Sequence, residues 1–173
     1  DNNLCPRLER MYNMNDEKNI LILSDLNTHL ESQLVESLNF NPNHVMSIQS
    51  YQAEISHAYG DVMRSIIIAI YEYDIENIYI IRKSDDKQVI ALPESVKSHT
   101  EKIKTLDYLF NNCKPEFSSD NIHEWLNGES DIHQSIKQSI HQVSNHPLIP
   151  PGITINGMTI NQCNIETIAE HLT

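Results

Sequence analysis

The residues best suited to chemistry fall in two short stretches. Asp25 and His29 stand four apart in Asp-Leu-Asn-Thr-His, at the border of a helix start. A carboxylate so placed can orient an imidazole as a general base, which makes His29 the catalytic candidate of the chain. The competing reading is an ordinary polar residue beside a pocket. The second stretch, Ile-Arg-Lys-Ser-Asp-Asp-Lys, sets Arg82, Lys83 and Lys87 around Asp85 and Asp86. Its cations suit a small anion such as bicarbonate or phosphate. Its two aspartates largely cancel them, which favours a solvated charged loop holding one structural ion pair.

Other side chains with ligand or nucleophile chemistry are dispersed. His29, His44, His57, His99, His123, His133, His141, His146 and His171 occur singly. His133 and His141 lie on one predicted helix two turns apart, too far to share an ion. Surface and capping roles suit them. Cys5, Cys113 and Cys163 are odd in number and never form C-x-x-C, so neither a disulfide framework nor a thiolate knuckle is indicated. A reducing cytoplasm fits this usage. Trp125 reads as a core or interface anchor.

Charge narrows the partners. Twenty-four acidic residues against 12 basic ones give a net charge of −12, and the cations are scattered rather than striped. Nucleic acid and anionic membrane surfaces, which reward basic charge, are therefore not expected partners. The longest apolar run, Ile66 to Tyr71, is too short to span a bilayer, and no signal-peptide pattern is present. With 173 residues, 39% of them hydrophobic, one domain is expected over 19–173 behind an N-terminal arm at 1–18.

The elements that must position these residues alternate. Asn19 to Ser24 is a continuous aliphatic run, the pattern of a strand covered on both faces of a parallel sheet. Thr28 and Glu31 form a capping box for a helix carrying Leu30, Leu34, Val35 and Leu38. His44 to Gln49 is a second strand. Asp61 to Tyr73 is apolar almost all round, predicting a helix packed on several sides, and Asn77 to Ile81 is the next buried strand. This rhythm predicts an α/β domain with a parallel sheet and helices on both faces, its site at the carboxyl ends of the strands. Ser98 and Glu101 predict another helix cap, and Ile132 to Val143 a further amphipathic helix. Asn156-Gly157, within the alternating GITINGMTI, predicts a type I′ hairpin.

Several segments together resemble the β-class carbonic anhydrases, in particular the small bacterial members. GDVMRSIIIAIYEYDIENIYII resembles the core helix of that family, opened by an Arg-Ser pair, and the strand that follows it. NILILSDLNTHL is similar to the first strand with its Cys-x-Asp-x-Arg signature, IIRKSDDK to the His-x-x-Cys segment, and NHPLIPPGITINGMTI to the closing helix and strand. The resemblance covers most of 19–160. It implies the family's single-domain α/β fold, a homodimer, and a zinc site held by two cysteines and a histidine.

Residue by residue, that zinc site is replaced. The cysteine ligands fall on Asp25 and Asp86 and the histidine ligand on Lys83; the family's Asp-Arg pair falls on Asn27 and His29. Its Asn-Ala-Gly falls on Ser50, Tyr51 and Gln52, while Asp85 and Arg64 are retained, the latter read as scaffold. Carboxylates bind zinc, so a metal held by Asp25, His29 and Asp86 with water is one alternative. Lys83 opposes it, since deprotonating a lysine of pKa ~10.4 at pH 7 costs roughly 4.6 kcal/mol. The expectation is instead that Lys83 replaces the metal between Asp25 and Asp86, each attraction worth about 4 kcal/mol before desolvation. No cofactor is then expected, and the leading function is an inactive homologue kept for binding, regulation or assembly. The alternative is an active enzyme on the same scaffold, either a carbonate dehydratase with an altered metal site or metal-free hydrolytic chemistry at His29.

Overall fold

The structure, a computed structural model, describes residues 18–26, 29–84, 93–113, 119–161 and 164–173. A five-stranded sheet runs through it in the order β2-β1-β3-β4-β5. The strands are β1 Asn19–Ser24, β2 Val45–Gln49, β3 Ile75–Lys83, β4 Thr154–Asn161 and β5 Asn164–Leu172. β1 to β4 are parallel; β5 runs antiparallel to β4 at one edge. The helices are α1 Leu30–Ser37, α2 Asp61–Tyr73, α3 Glu94–Lys97, α4 Thr100–Asn112, α5 Ile122–Asn127 and α6 Ile132–Ser144. Among the described residues, no helix is long and apolar enough to cross a membrane.

Strand alternation sorts the core into two faces. Leu21, Leu23, Ile78, Ile80 and Ile155 meet Ile66 and Ile70 of α2 and Ile136 and Ile140 of α6. Ile20, Ile22, Tyr79, Ile81, Met158 and Ile160 meet Leu30 and Leu34 of α1 on the other side. Because both faces are covered, β1 and β3 are apolar at consecutive positions, which is why their sequences read as unbroken runs. α3, α4 and α5 form an annex around Phe110 and Ile122, apart from both sheet faces. Trp125 sits at the edge of that annex, about half exposed, its ring 5.9 Å from Phe110.

Three local expectations are corrected. Asn156-Gly157 forms no turn: β4 passes straight through it. A Cβ on Gly157 would collide with Ile136 Cγ2 and lie 2.8 Å from Ile140 Cδ1, so the glycine serves the close approach of α6 rather than a hairpin. Both predicted caps shift by one residue. α1 is capped at His29 and α4 at His99, neither using its side chain, while Ser98 bonds back to Ser95 O at the end of α3; Thr28 lies outside the described residues. Finally, α2 is covered on one side only. Ile68, Tyr71 and Tyr73 are half exposed, Ile68 and Tyr73 facing a groove that Met46 and Ile48 of β2 also line, and Tyr71 donating its hydroxyl to Leu148 O at 2.9 Å.

Candidate functional site

The carboxyl ends of β1, β2 and β3 meet at one edge of the sheet. Asp25 follows β1 directly and is 4% exposed. Its Oδ1 accepts the backbone N–H of Leu26 at 2.7 Å and of Gln52 at 2.6 Å. The second bond ties the end of β1 to the 3₁₀ turn Tyr51–Ala53 that follows β2 and packs against β1 and β3.

That turn is strained. Gln52 and Ala53 have φ of +57° and +50°, consecutive left-handed positions without a glycine. Each costs about 1–2 kcal/mol. Gln52 therefore holds a backbone conformation that glycine adopts more readily. Asp25 holds the turn at Gln52. Ser139 of α6 holds its far side, accepting from Ile55 N at 3.1 Å and donating to Ala53 O at 3.5 Å.

At the end of β3 the alternation places Arg82 and Lys83 on opposite faces. Arg82 follows Ile78 and Ile80 on the α2–α6 face and is 2% exposed. Lys83 follows Tyr79 and Ile81 on the α1 face and is exposed. Asp25 follows Leu23 on the α2–α6 face and bonds to the turn containing Ala53, which belongs to the same cluster. The expected bridge from Lys83 to Asp25 is therefore absent, and the cation on the side of Asp25 is Arg82. Register reinforces this, since Ser24 pairs with Ile81, one position before each. Sequence reading grouped Arg82 with a surface loop; the alternation in Ile-Tyr-Ile-Ile-Arg-Lys was the signal that would have separated them.

The remaining positions divide in the same way. His29 is exposed, and its carbonyl begins α1 by accepting from Gln33 N. No hydrogen bond or ion pair joins its ring to Asp25. Asn27, Asp85, Asp86 and Lys87 lie outside the described residues. Among the described residues no three metal-donor side chains converge. The hydroxyls of Ser24, Ser50 and Ser84, at the ends of the three strands, are buried and have no hydrogen-bond partner among the described residues. Of the other histidines, His44 pairs its Nδ1 with Asn19 Oδ1 at 2.8 Å, and buried His146 accepts Leu148 N–H.

A mixed sheet of this order, with its polar edge at the parallel strand ends, is the fold of the β-carbonic anhydrases. The structure resembles β-carbonic anhydrase isoform I of Trichomonas vaginalis with a TM-score of 0.63 and 20% identity, over 91% of this chain and 87% of that one. It also resembles the tetrameric β-carbonic anhydrases of Sordaria macrospora, with a TM-score of 0.57 and 12% identity over 91% and 84% of the two chains. In sequence the chain is 40% identical over 150 residues to the putative carbonic anhydrase-like protein YbcF of Bacillus subtilis, spanning 86% of this chain and 85% of YbcF. The chain belongs to the β-carbonic anhydrase family. No family model matches it.

Proposed function

We propose that this protein is a carbonic anhydrase-like protein that works without zinc, has no carbon dioxide hydration activity, and is retained for a binding, regulatory or assembly role. The observation that carries the proposal is the divergent fate of two ligand positions. Asp25 is drawn into the core with Oδ1 committed to two backbone amides, while Lys83 stands exposed on the opposite face. These donors do not fit a zinc centre, which needs lone pairs converging at about 2 Å from one ion. An ammonium offers none, and strand alternation turns it away from Asp25.

Self-association belongs to the same proposal, as a homodimer; the tetrameric Sordaria enzymes of the same fold support it. So does a cytoplasmic location, suggested by three scattered cysteines.

A second reading adds a small oxyanion at the strand ends. Three buried hydroxyls without partners, and a guanidinium buried on β3, favour it. Bicarbonate and inorganic phosphate should then raise the melting temperature of the protein, and Ser24→Ala should reduce that rise; no shift with either anion would remove this reading.

Elemental analysis of the purified chain, paired with stopped-flow carbon dioxide hydration, tests the main proposal. The expected result is zinc far below one per chain and no turnover above buffer. Stoichiometric zinc with measurable hydration overturns it in favour of an altered metal site. Hydrolysis of an activated ester that His29→Ala abolishes overturns it in favour of metal-free chemistry.

A further inference from the structure

The turn that follows α6, Ser-Asn-His-Pro-Leu, is built around one imidazole. His146 is 5% exposed. Its Nδ1 accepts the backbone N–H of Leu148, two residues on, at 3.2 Å. Pro147 has no N–H, so Leu148 offers the first amide that can fold back in this way. Asparagine and aspartate close the same ring with a side-chain oxygen. Around this core, the carbonyl of His146 accepts Ile149 N–H at 3.0 Å, and the carbonyl of Leu148 accepts the Tyr71 hydroxyl at 2.9 Å. One side chain thus sets the turn that ties the end of α6 to α2.

The ring has no second polar anchor. Accepting an N–H fixes the lone pair on Nδ1 and the hydrogen on Nε2. Nε2 is buried and has no hydrogen-bond partner among the described residues. The Tyr59 ring, from the segment before α2, meets the imidazole edge to face at 5.2 Å, and His57 holds Tyr59 in place by accepting its N–H at 3.0 Å. The titratable groups about the ring are therefore Tyr59 and His57 before α2, Tyr71 of α2 through Leu148, and His141 of α6, whose Nδ1 meets Asn145 at 2.9 Å. Among the described residues no carboxylate pairs with His146.

An imidazolium cannot keep this turn. Both of its nitrogens are donors, so a proton taken from water onto Nδ1 would point at the Leu148 N–H. The charge would also sit buried, without an acceptor or a counter-ion. We propose that the His146-Pro147-Leu148 turn is a proton-operated clasp. It is closed while the imidazole is neutral. It opens when Nδ1 takes up a proton, which releases Leu148 and Tyr71 and frees the end of α6 from α2. Imidazole suits such a switch because it is the side chain whose charge changes between about pH 5 and pH 8.

Hydrogen exchange of the full chain, followed by NMR from about pH 7.5 to pH 5 with each rate corrected for its intrinsic pH dependence, tests this. The Leu148 and Ile149 amides should lose ~10-fold or more of their protection on acidification, while amides of β1 and β3 keep theirs. His146→Asn offers an oxygen to the same N–H and takes up no proton, so its protection should stay within ~2-fold over the whole range. His57→Gln should leave the loss as it is in the wild type. Protection that does not change with pH in the wild type overturns the clasp, as does a loss that persists in His146→Asn or disappears in His57→Gln. The imidazole nitrogen shifts of the wild type give a reading that needs no variant. The Nε2-protonated tautomer should give way to imidazolium only as the turn opens, and an imidazolium beside a still protected Leu148 amide overturns the proposal.

Discussion

The ends of β1 and β3, where the resemblance in sequence aligns the family's metal ligands, are built differently in this chain. At the end of β1, Asp25 lies in the core as an acceptor for backbone amides. At the end of β3, Lys83 faces solvent, while its neighbour Arg82 is buried. Asp25 and Arg82 are thus buried, and Lys83 is exposed. Which of these polar residues is buried follows from the face each occupies and from which backbone groups need partners.

Removing the carboxylate is the strongest way to break this contrast. Asp25→Ala leaves the buried Gln52 amide and the part-buried Leu26 amide without their acceptor, and should destabilise the fold by about 1–3 kcal/mol in a urea titration, the cost of one buried orphan, with a smaller addition from Leu26. A loss below ~1 kcal/mol would mean that the two bonds do not hold the turn. Gln52→Gly should act in the opposite direction. Relief of the left-handed backbone stabilises by about 1 kcal/mol, less whatever the buried Gln52 side chain contributed by packing. In an Asp25→Ala background the two changes should be non-additive, since both act on the same turn. The smallest effect belongs to Lys83→Met, expected within ±0.5 kcal/mol because the side chain is exposed and makes no ion pair among the described residues. A large loss there would restore the bridging role that the sequence suggested.

Much of the scaffold was readable beforehand. The bounds of β1 and α2 were found as predicted, because a doubly covered strand and a long amphipathic helix leave strong patterns over six and 13 residues. The caps at Thr28 and Ser98 were misread by one position, since a capping motif scores residue types while the chain selects the cap from its own backbone path. Asn156-Gly157 was misread for a related reason. The same dipeptide serves a turn or a close helix contact, and only the position of Ile136 and Ile140 distinguishes them. The surroundings of Asp25 and Lys83 were not legible. Alignment along one dimension brought Lys83 to Asp25, and a two-residue period sent it to the other face.

The sequence by itself determined the family, the α/β architecture and the net negative charge. Each of these depends on residue identity or on periodicity along the chain. Only the tertiary structure decided that Asp25 holds a strained turn, that Arg82 is the buried cation on its side, and that β2 and α2 leave an apolar groove at one edge. The first two of those outcomes join Asp25 to residues 27 and 57 positions further along, a distance over which local pattern carries no information about contact.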